Sequence, residues 1–208
     1  MKVILINGSP DPKGCTFTAL SEVSAQLAKN GLETEIFNIG NAAIAGCLGC
    51  RKCRETGKCV YKGDSVEKFL EKAVDAYGFV FGSPVYYAGM SGQLKCFMDR
   101  AFFSSGKTMA NKPAAAVVSC RRGGASTAFD QINKYFQINN MPVVSSKYWN
   151  QVHGQRPEEV LKDAEGLQTM RTLADNMAWL IKCIAQAKLS GINIPEREIP
   201  IQTDFIRS

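Results

Sequence analysis

Only one histidine, His153, stands in the 208 residues, so a histidine-built metal centre is excluded. Long apolar runs are missing too: none approaches the roughly 18 residues that a bilayer-spanning helix needs. No apolar stretch precedes a small-residue cleavage site, and Met1-Lys2 leads straight into an apolar strand, so no export signal is expected. The net charge of +6 contains no basic block and no interleaving of basic and aromatic residues. Nucleic-acid binding and membrane attachment are therefore not expected, and the spread charge gives at most a modest attraction for anions. Neither G-x-x-x-x-G-K-[ST] nor G-x-G-x-x-G occurs, which removes the usual cradles for a nucleoside triphosphate and a dinucleotide. Internal repeats and low-complexity linkers are also absent.

What is present is an alternation of short apolar runs with amphipathic stretches. Lys2–Ile6 reads as a strand buried on both faces, and a helix starting at Cys15-Thr16 places Leu20, Val23 and Leu27 on one face. Glu33–Ile39 is predicted as the second strand, Tyr77–Phe81 as the third, Pro113–Ser119 as the fourth and Pro142–Ser145 as a short fifth. Between them, helices are expected from Ser65 (core face Val66, Phe69, Leu70, Val74), around Leu94, Phe97 and Met98, and through Phe129, Ile132, Tyr135 and Phe136. Glu158–Lys188 supports a long last helix, broken near Gly166. With 45% hydrophobic and 21% charged residues, this pattern predicts one α/β domain over residues 1–188: a doubly wound five-stranded parallel sheet with helices on both faces. Residues 40–64 form a cysteine-rich loop within it, and residues 189–208 form a tail. The tail carries Ile192, Ile194, Ile199, Ile201 and Phe205, too apolar for water alone, and is expected to pack on a neighbouring subunit of a homodimer or homotetramer.

In such sheets a ligand sits beyond the carboxyl ends of the strands, at the point where strand order reverses. Three strand ends carry unusual loops. The first runs from Asn7 to Gly14 and opens a helix at Cys15, so it aims backbone N–H groups and a helix N-terminus at one spot, suited to a phosphate. Ser9, Thr16 and Thr18 add hydroxyls there. The second, Pro84-Val85-Tyr86-Tyr87-Ala88-Gly89-Met90, offers aromatic rings, glycine-freed backbone and apolar cover for a flat heteroaromatic. The third, after Ser119, supplies Arg121 and Arg122 with Gly123 and Gly124. Together they favour a mononucleotide with a planar ring. A cation beside the ring's carbonyl edge would stabilise its reduced anionic form.

Gly8-Ser9-Pro10 with Gly14-Cys15-Thr16, Gly82-Ser83-Pro84-Val85-Tyr86 with Asp99-Arg100, and the Cys47–Cys59 stretch together resemble the flavodoxin-like NAD(P)H-dependent FMN reductases, nearest the iron–sulfur flavoprotein branch. The resemblance covers almost the whole chain. It implies a flavodoxin-like fold and FMN, with the phosphate on Ser9, Gly14, Cys15, Thr16 and Phe17. It also implies the isoalloxazine against Pro84, Val85, Tyr86, Tyr87 and Gly89 and against Ser119, Arg121, Arg122, Gly123 and Gly124. The chain departs from the family's common Arg and Asn with Asp11 and Cys15, which leaves the phosphate to backbone contacts at both places.

Eight cysteines without an export signal point to a reducing compartment, the cytoplasm. Cys47-x2-Cys50-x2-Cys53-x5-Cys59 is dense enough to surround one centre, and soft sulfur ligands select iron–sulfur clusters or zinc. A compact three-plus-one run suits a [4Fe–4S] cluster better than the two separated pairs of a zinc site, and the resemblance implies these four as its ligands. The plain alternative is a loop of packed or redox-labile thiols. Cys96 and Cys183 are expected as small buried hydrophobes on helices. His153 is expected in a loop after the fifth strand, either structural or, as the one candidate catalytic residue, donating a proton on the ring side of the pocket. Tyr148 and Trp149 would wall the same pocket or fill an interface. Two activities follow from the resemblance. One passes electrons from NAD(P)H through FMN to a small-molecule acceptor: a flavin, quinone, azo or nitro compound. The other relays single electrons from a ferredoxin-type partner through a [4Fe–4S] cluster to FMN.

Overall fold

The computed structural model describes residues 1–201 and 203, and the end of the tail, Phe205 included, lies outside the described residues. Five strands, β1 (Lys2–Asn7), β2 (Glu33–Asn38), β3 (Gly78–Pro84), β4 (Ala114–Cys120) and β5 (Gln151–His153), pair in the order β2-β1-β3-β4-β5. Every pairing is parallel. Because successive side chains on a strand point to opposite faces, each apolar run feeds two cores. Ile4, Ile6, Phe79, Phe81, Ala116 and Val118 face one layer of helices, and Val3, Leu5, Val80, Ala115 and Val117 face the other. The first layer holds α3 (Ser65–Ala73), α4 (Gly92–Met109) and α5 (Ala125–Ile138), and the second holds α1 (Cys15–Lys29) and α7 (Ala164–Leu189). Two short helices, α2 (Cys53–Thr56) and α6 (Pro157–Val160), lie in the connections. The doubly wound architecture read from the sequence is the one observed, and no helix among the described residues is long and apolar enough to cross a membrane.

The edge of the sheet differs from expectation. Pro142–Ser145 is not the fifth strand: it touches β4 through Ala114 N–H to Pro142 O (2.9 Å) and Val144 N–H to Ala114 O (2.8 Å), with Val143 in an isolated bridge. Proline has no amide to continue a ladder, and the chain leaves the sheet before returning at Gln151–His153 to pair with Val118–Cys120. His153 therefore lies in a strand, not a loop. The last helical stretch breaks at residues 161–163 and not at Gly166. Asp163 ends the break by accepting the amide of Gly166 (2.9 Å) while its other oxygen accepts the amide of His153 (2.7 Å). Val74 and Cys183, expected inside, are exposed, and Cys96 is half-buried. The cysteine-rich loop contains the single helical turn of α2.

At the switch point between β1 and β3 the loops are stitched together. The amide of Gly8 donates to Gly82 O (2.8 Å), Ser91 Oγ donates to Gly8 O (2.7 Å), and the amide of Ser91 donates to Ser83 Oγ (2.9 Å). A Cβ on Gly8 would stand 2.7 Å from Gly82 O and 2.9 Å from the Leu94 side chain. Neither backbone nor core can yield cheaply, so Gly8→Ala should cost about 1–3 kcal/mol, the usual penalty of forcing extra atoms into a packed site. For a chain of this size that lowers the thermal midpoint by roughly 2–12 °C; an unchanged midpoint in a melting experiment would show the stitch to be slack.

Candidate functional site

The first loop is built on Asn7, which is fully buried at the end of β1. Its Oδ1 accepts the amide of Ser9 (3.1 Å) and its Nδ2 donates to Asn38 Oδ1 (2.8 Å), fixing the turn to the neighbouring strand. Ser9 Oγ accepts the amide of Asp11 (3.2 Å), and Asp11 Oδ1 accepts the amide of Lys13 (2.9 Å). The loop thus delivers Gly14 to the N-cap of α1, where no side chain caps the helix. The amides of Cys15, Thr16 and Phe17, its first three residues, are the ones that intrahelical bonding leaves over. The anion seat expected from the sequence falls on these amides.

A groove of about 280 Å³ opens from this seat across the strand ends. Ser9, Asp11, Gly14, Cys15 and Thr16 line it from the first loop, Pro84 and Val85 from the second, and Ser119, Cys120 and Arg121 from the third. Thr16 is buried and shares its hydroxyl with Ser119 (2.8 Å), so it ties the first loop to β4. Burial pushes the Cys15 and Cys120 thiols up, so both stay neutral beside the anion seat. Among the described residues, Asp11 is the one carboxylate in the lining.

The second and third loops are held against each other. Val85 N–H donates to Ser119 O (3.0 Å), and Tyr86 and Gly89 exchange backbone hydrogen bonds of 2.9 Å around a tight turn. The two residues at its tip, Tyr87 and Ala88, have φ of +49° and +59°, the mirror-image turn that usually recruits glycine or asparagine. Two non-glycine residues held this way mark a constrained loop tip. Gly124, at φ +86°, approaches so closely that a Cβ would lie 2.9 Å from Ala88 Cα. Tyr86 and Tyr87 are exposed at the tip, and Arg121, Arg122 and Gly123 are exposed beside it.

The cysteine stretch forms a second locus. Cys47, Cys50, Cys53 and Cys59 all border one small cavity of about 20 Å³, walled by Leu48, Val60, Tyr61 and Phe103 with Arg51 at its exposed side. Among the described residues no three histidine, cysteine or acidic side chains converge closely enough to hold a single metal ion. Beneath the cavity lies Arg100 of α4, only 1% exposed. Desolvating a guanidinium costs several kcal/mol unless it is well paired. Here Asp64 accepts from Nη1, the ring of Tyr61 lies 4.7 Å away, and Nε donates to Cys59 Sγ (3.4 Å). Burial alone would raise the Asp64 carboxyl, but the hydrogen bond from Arg100 and the amides of Glu67 and Val66 outweigh it and hold it below its usual range. Its neighbour Asp99 turns the other way, to Lys95 (2.7 Å) and the hydroxyl of Tyr135, whose ionisation burial and the Asp99 carboxylate push up to about 12.

His153 does not line the groove. Its side chain borders a separate cavity with Tyr148, Trp149, Gln151, Asp163, Glu165, Gly166 and Thr169, so the flavin-facing proton role expected of it has no geometric support. The lining residues that the sequence did not single out are Gly154, Gln155 and Pro157, which follow β5. They were hidden by the misplacement of that strand. Asn7 and Arg100 are also distinguished by their burial: the first is announced by its place in Asn-Gly-Ser-Pro after a strand, the second by the Asp99-Arg100 pair and by an arginine inside an apolar helix face.

With the geometry in hand, comparison with known proteins is specific. Residues 1–155 match the NADPH-dependent FMN reductase family. An iron–sulfur flavoprotein of Methanocaldococcus jannaschii is 38% identical over 192 residues, covering 88% of this chain and 99% of that protein. An iron–sulfur flavoprotein of Archaeoglobus fulgidus is 30% identical over 208 residues, covering 91% and 100%. Among solved structures, a flavodoxin from the domain Archaea superposes with a TM-score of 0.59 at 16% identity, over 88% of this chain and 99% of that one. The fold is flavodoxin-like, and an anion seat beside a groove for a planar ring is what FMN requires. The chain thus belongs to the NADPH-dependent FMN reductases, a family of FMN oxidoreductases, on the branch of the iron–sulfur flavoproteins.

Proposed function

We propose that the protein moves electrons between an iron–sulfur cluster held by Cys47, Cys50, Cys53 and Cys59 and FMN bound in the groove, receiving single electrons from a ferredoxin-type donor. The observation that carries this reading is that four cysteines, and no other cysteine, border one apolar cavity. Apolar walls and a thiolate-directed hydrogen bond are what a cluster site needs to exclude water and offset sulfur charge. Bound, the two groups supply the redox chemistry, the cluster taking one electron at a time and the flavin one or two. The chain's own part is placement. The amides of Cys15, Thr16 and Phe17 would hold the phosphate, Pro84–Gly89 and Ser119–Gly124 would flank the ring, and Arg121 would set a positive field at the groove.

A second donor is favoured by the family match, whose description names NADPH. In that reading a nicotinamide reduces the flavin directly and a small acceptor reoxidises it. Stopped-flow mixing with NADH or NADPH, without a protein partner, separates the two. Rapid flavin bleaching would replace the ferredoxin-type donor with the nicotinamide. The tail adds an assembly reading: Ile192, Ile194, Ile199 and Ile201 are exposed, while Arg197 is anchored to Asn111 (2.9 Å) and Asn140 (3.2 Å). A subunit docking on those isoleucines would cover them.

Three outcomes are expected. Replacing any one of Cys47, Cys50, Cys53 or Cys59 with Ala should abolish the broad visible absorbance beyond the flavin bands and lower bound iron in anaerobic protein. Cys183→Ala should leave both unchanged, and a pure flavin spectrum in the natural protein would sink the cluster. Asp11→Asn removes the carboxylate from the phosphate seat. At about 0.2–1 kcal/mol for an exposed charge interaction, it should tighten FMN binding up to about fivefold, fading as salt is added. Arg121→Gln should lower the flavin midpoint potential by about 5–20 mV on the same scale, read by spectroelectrochemistry.

A further inference from the structure

Arg100 has a polar atom that no other described residue uses. Its side chain is 1% exposed; Nη1 is paired with Asp64, Nε is directed at Cys59 Sγ (3.4 Å), and Nη2 is buried with no partner among the described residues. A buried donor left unpaired costs about 1–3 kcal/mol, more for a charged group. Natural cores rarely leave one without a functional reason. The same side chain forms part of the wall of the cavity that the four cysteines border. The cavity's other walls are Leu48, Arg51, Val60, Tyr61 and Phe103; Arg51 is exposed to solvent, so of the two arginines it is Arg100 that brings a desolvated donor to the cavity. A helix-borne guanidinium with a spare N–H at such a place is matched to sulfur that carries negative charge.

We propose that Arg100 is the residue that sets the reduction potential of the cysteine-held cluster, by donating to Cys59 Sγ and by offering Nη2 to sulfur in the cavity. The proposal rests on the cluster reading given above. Its physical basis is that a cluster gains negative charge on reduction, so a fixed cation and N–H donors at its sulfurs stabilise the reduced form more than the oxidised one. Arg100 is thus a positioning and tuning residue for electron transfer. The short helix α3 behind it explains how the guanidinium is held. Asp64 is the N-cap of α3, accepting from the amides of Val66 (3.1 Å) and Glu67 (3.2 Å) through Oδ1, while Oδ2 faces Arg100. One carboxylate therefore serves the helix with one oxygen and the guanidinium with the other.

That division of labour gives a test in which structural damage and electrostatic tuning have different signatures. Arg100→Gln and Asp64→Asn both break the ion pair, and asparagine still caps a helix. Arg100→Gln removes a cation from the cavity wall, so the cluster potential should fall. Asp64→Asn removes the anion that offsets that cation, so the potential should hold or rise. The measurement is anaerobic redox titration of the purified full chain, following the cluster by electron paramagnetic resonance and the flavin by absorbance, with iron and sulfide assayed in each variant. Arg100→Lys, which keeps the charge without the planar fork, should fall between the natural protein and Arg100→Gln. It carries the titration if the glutamine variant does not take up iron. The assignment is overturned if the iron-loaded arginine variants keep the natural potential, or if Asp64→Asn lowers it as much as they do. Absence of iron and sulfide from the anaerobic natural protein would overturn the cluster reading itself, and the two failures are distinguished by that assay alone.

Discussion

The contact on which both sites depend is the approach of Gly8 to Gly82, an amide-to-carbonyl hydrogen bond of 2.8 Å with no room for a side chain between them. In a parallel sheet the strands on either side of the switch point send their connections to opposite faces, which opens a crevice at their carboxyl ends. The loops over that crevice would be free to splay if nothing tied them. Here Gly8 is bonded to β3, and Ser91 is bonded both to Gly8 and to Ser83. Ser91 is also the N-cap of α4, accepting the amide of Leu94 (3.2 Å). One cluster of small residues thus fixes the floor of the FMN groove and the start of the longest helix on that face of the sheet.

The anion seat follows from the same economy. Its donors are backbone amides that the helix geometry leaves over, so the seat tolerates side chains that a phosphate would not choose, Asp11 among them. Cys15 and Cys120 add no negative charge to the groove: burial pushes thiols that are ordinarily neutral near pH 7 still further up.

How far the sequence could be read depended on whether a feature was local. Lys2–Ile6, Gly8–Gly14 and the helix from Cys15 are a strand, a turn and a helix in unbroken order, and each is announced by its own composition. The four cysteines sit within thirteen residues, so their gathering needs no long-range information. The edge strand was different. Pro142–Ser145 has the more strand-like composition, yet the sheet is extended by Gln151–His153, three residues whose pairing with β4 is a long-range choice. Because β5 lies where composition does not announce it, His153 borders a separate cavity and Gln155 and Pro157 border the groove. Arg100 belongs to the Asp99-Arg100 pair on which the resemblance rests, but its burial and its partners are not legible, for a related reason. Inside a helix that buries Leu94, Phe97, Met98 and Ala101, an arginine gives no sign of whether it escapes to solvent or is paired within. Its partners, Cys59, Tyr61 and Asp64, lie 36 to 41 positions away.

The two sites are joined by α4. Its N-cap, Ser91, is part of the stitch under the groove, and Arg100, nine positions on, is under the cysteine cavity. At a rise of about 1.5 Å per residue those anchors stand roughly 14 Å apart along one rigid element. Phe97 and Met98, between them, are fully buried, and Phe97 packs on Phe69 of α3 at 5.2 Å between ring centroids. Neither anchor can shift along the axis without dragging this apolar core, and close-packed cores resist such strain. The helix that the fold needs to cover one face of its sheet therefore also sets the spacing between two loci that the sequence builds from separate loops. That spacing is a property of packing, and it holds whether electrons enter at the cysteines or at the groove.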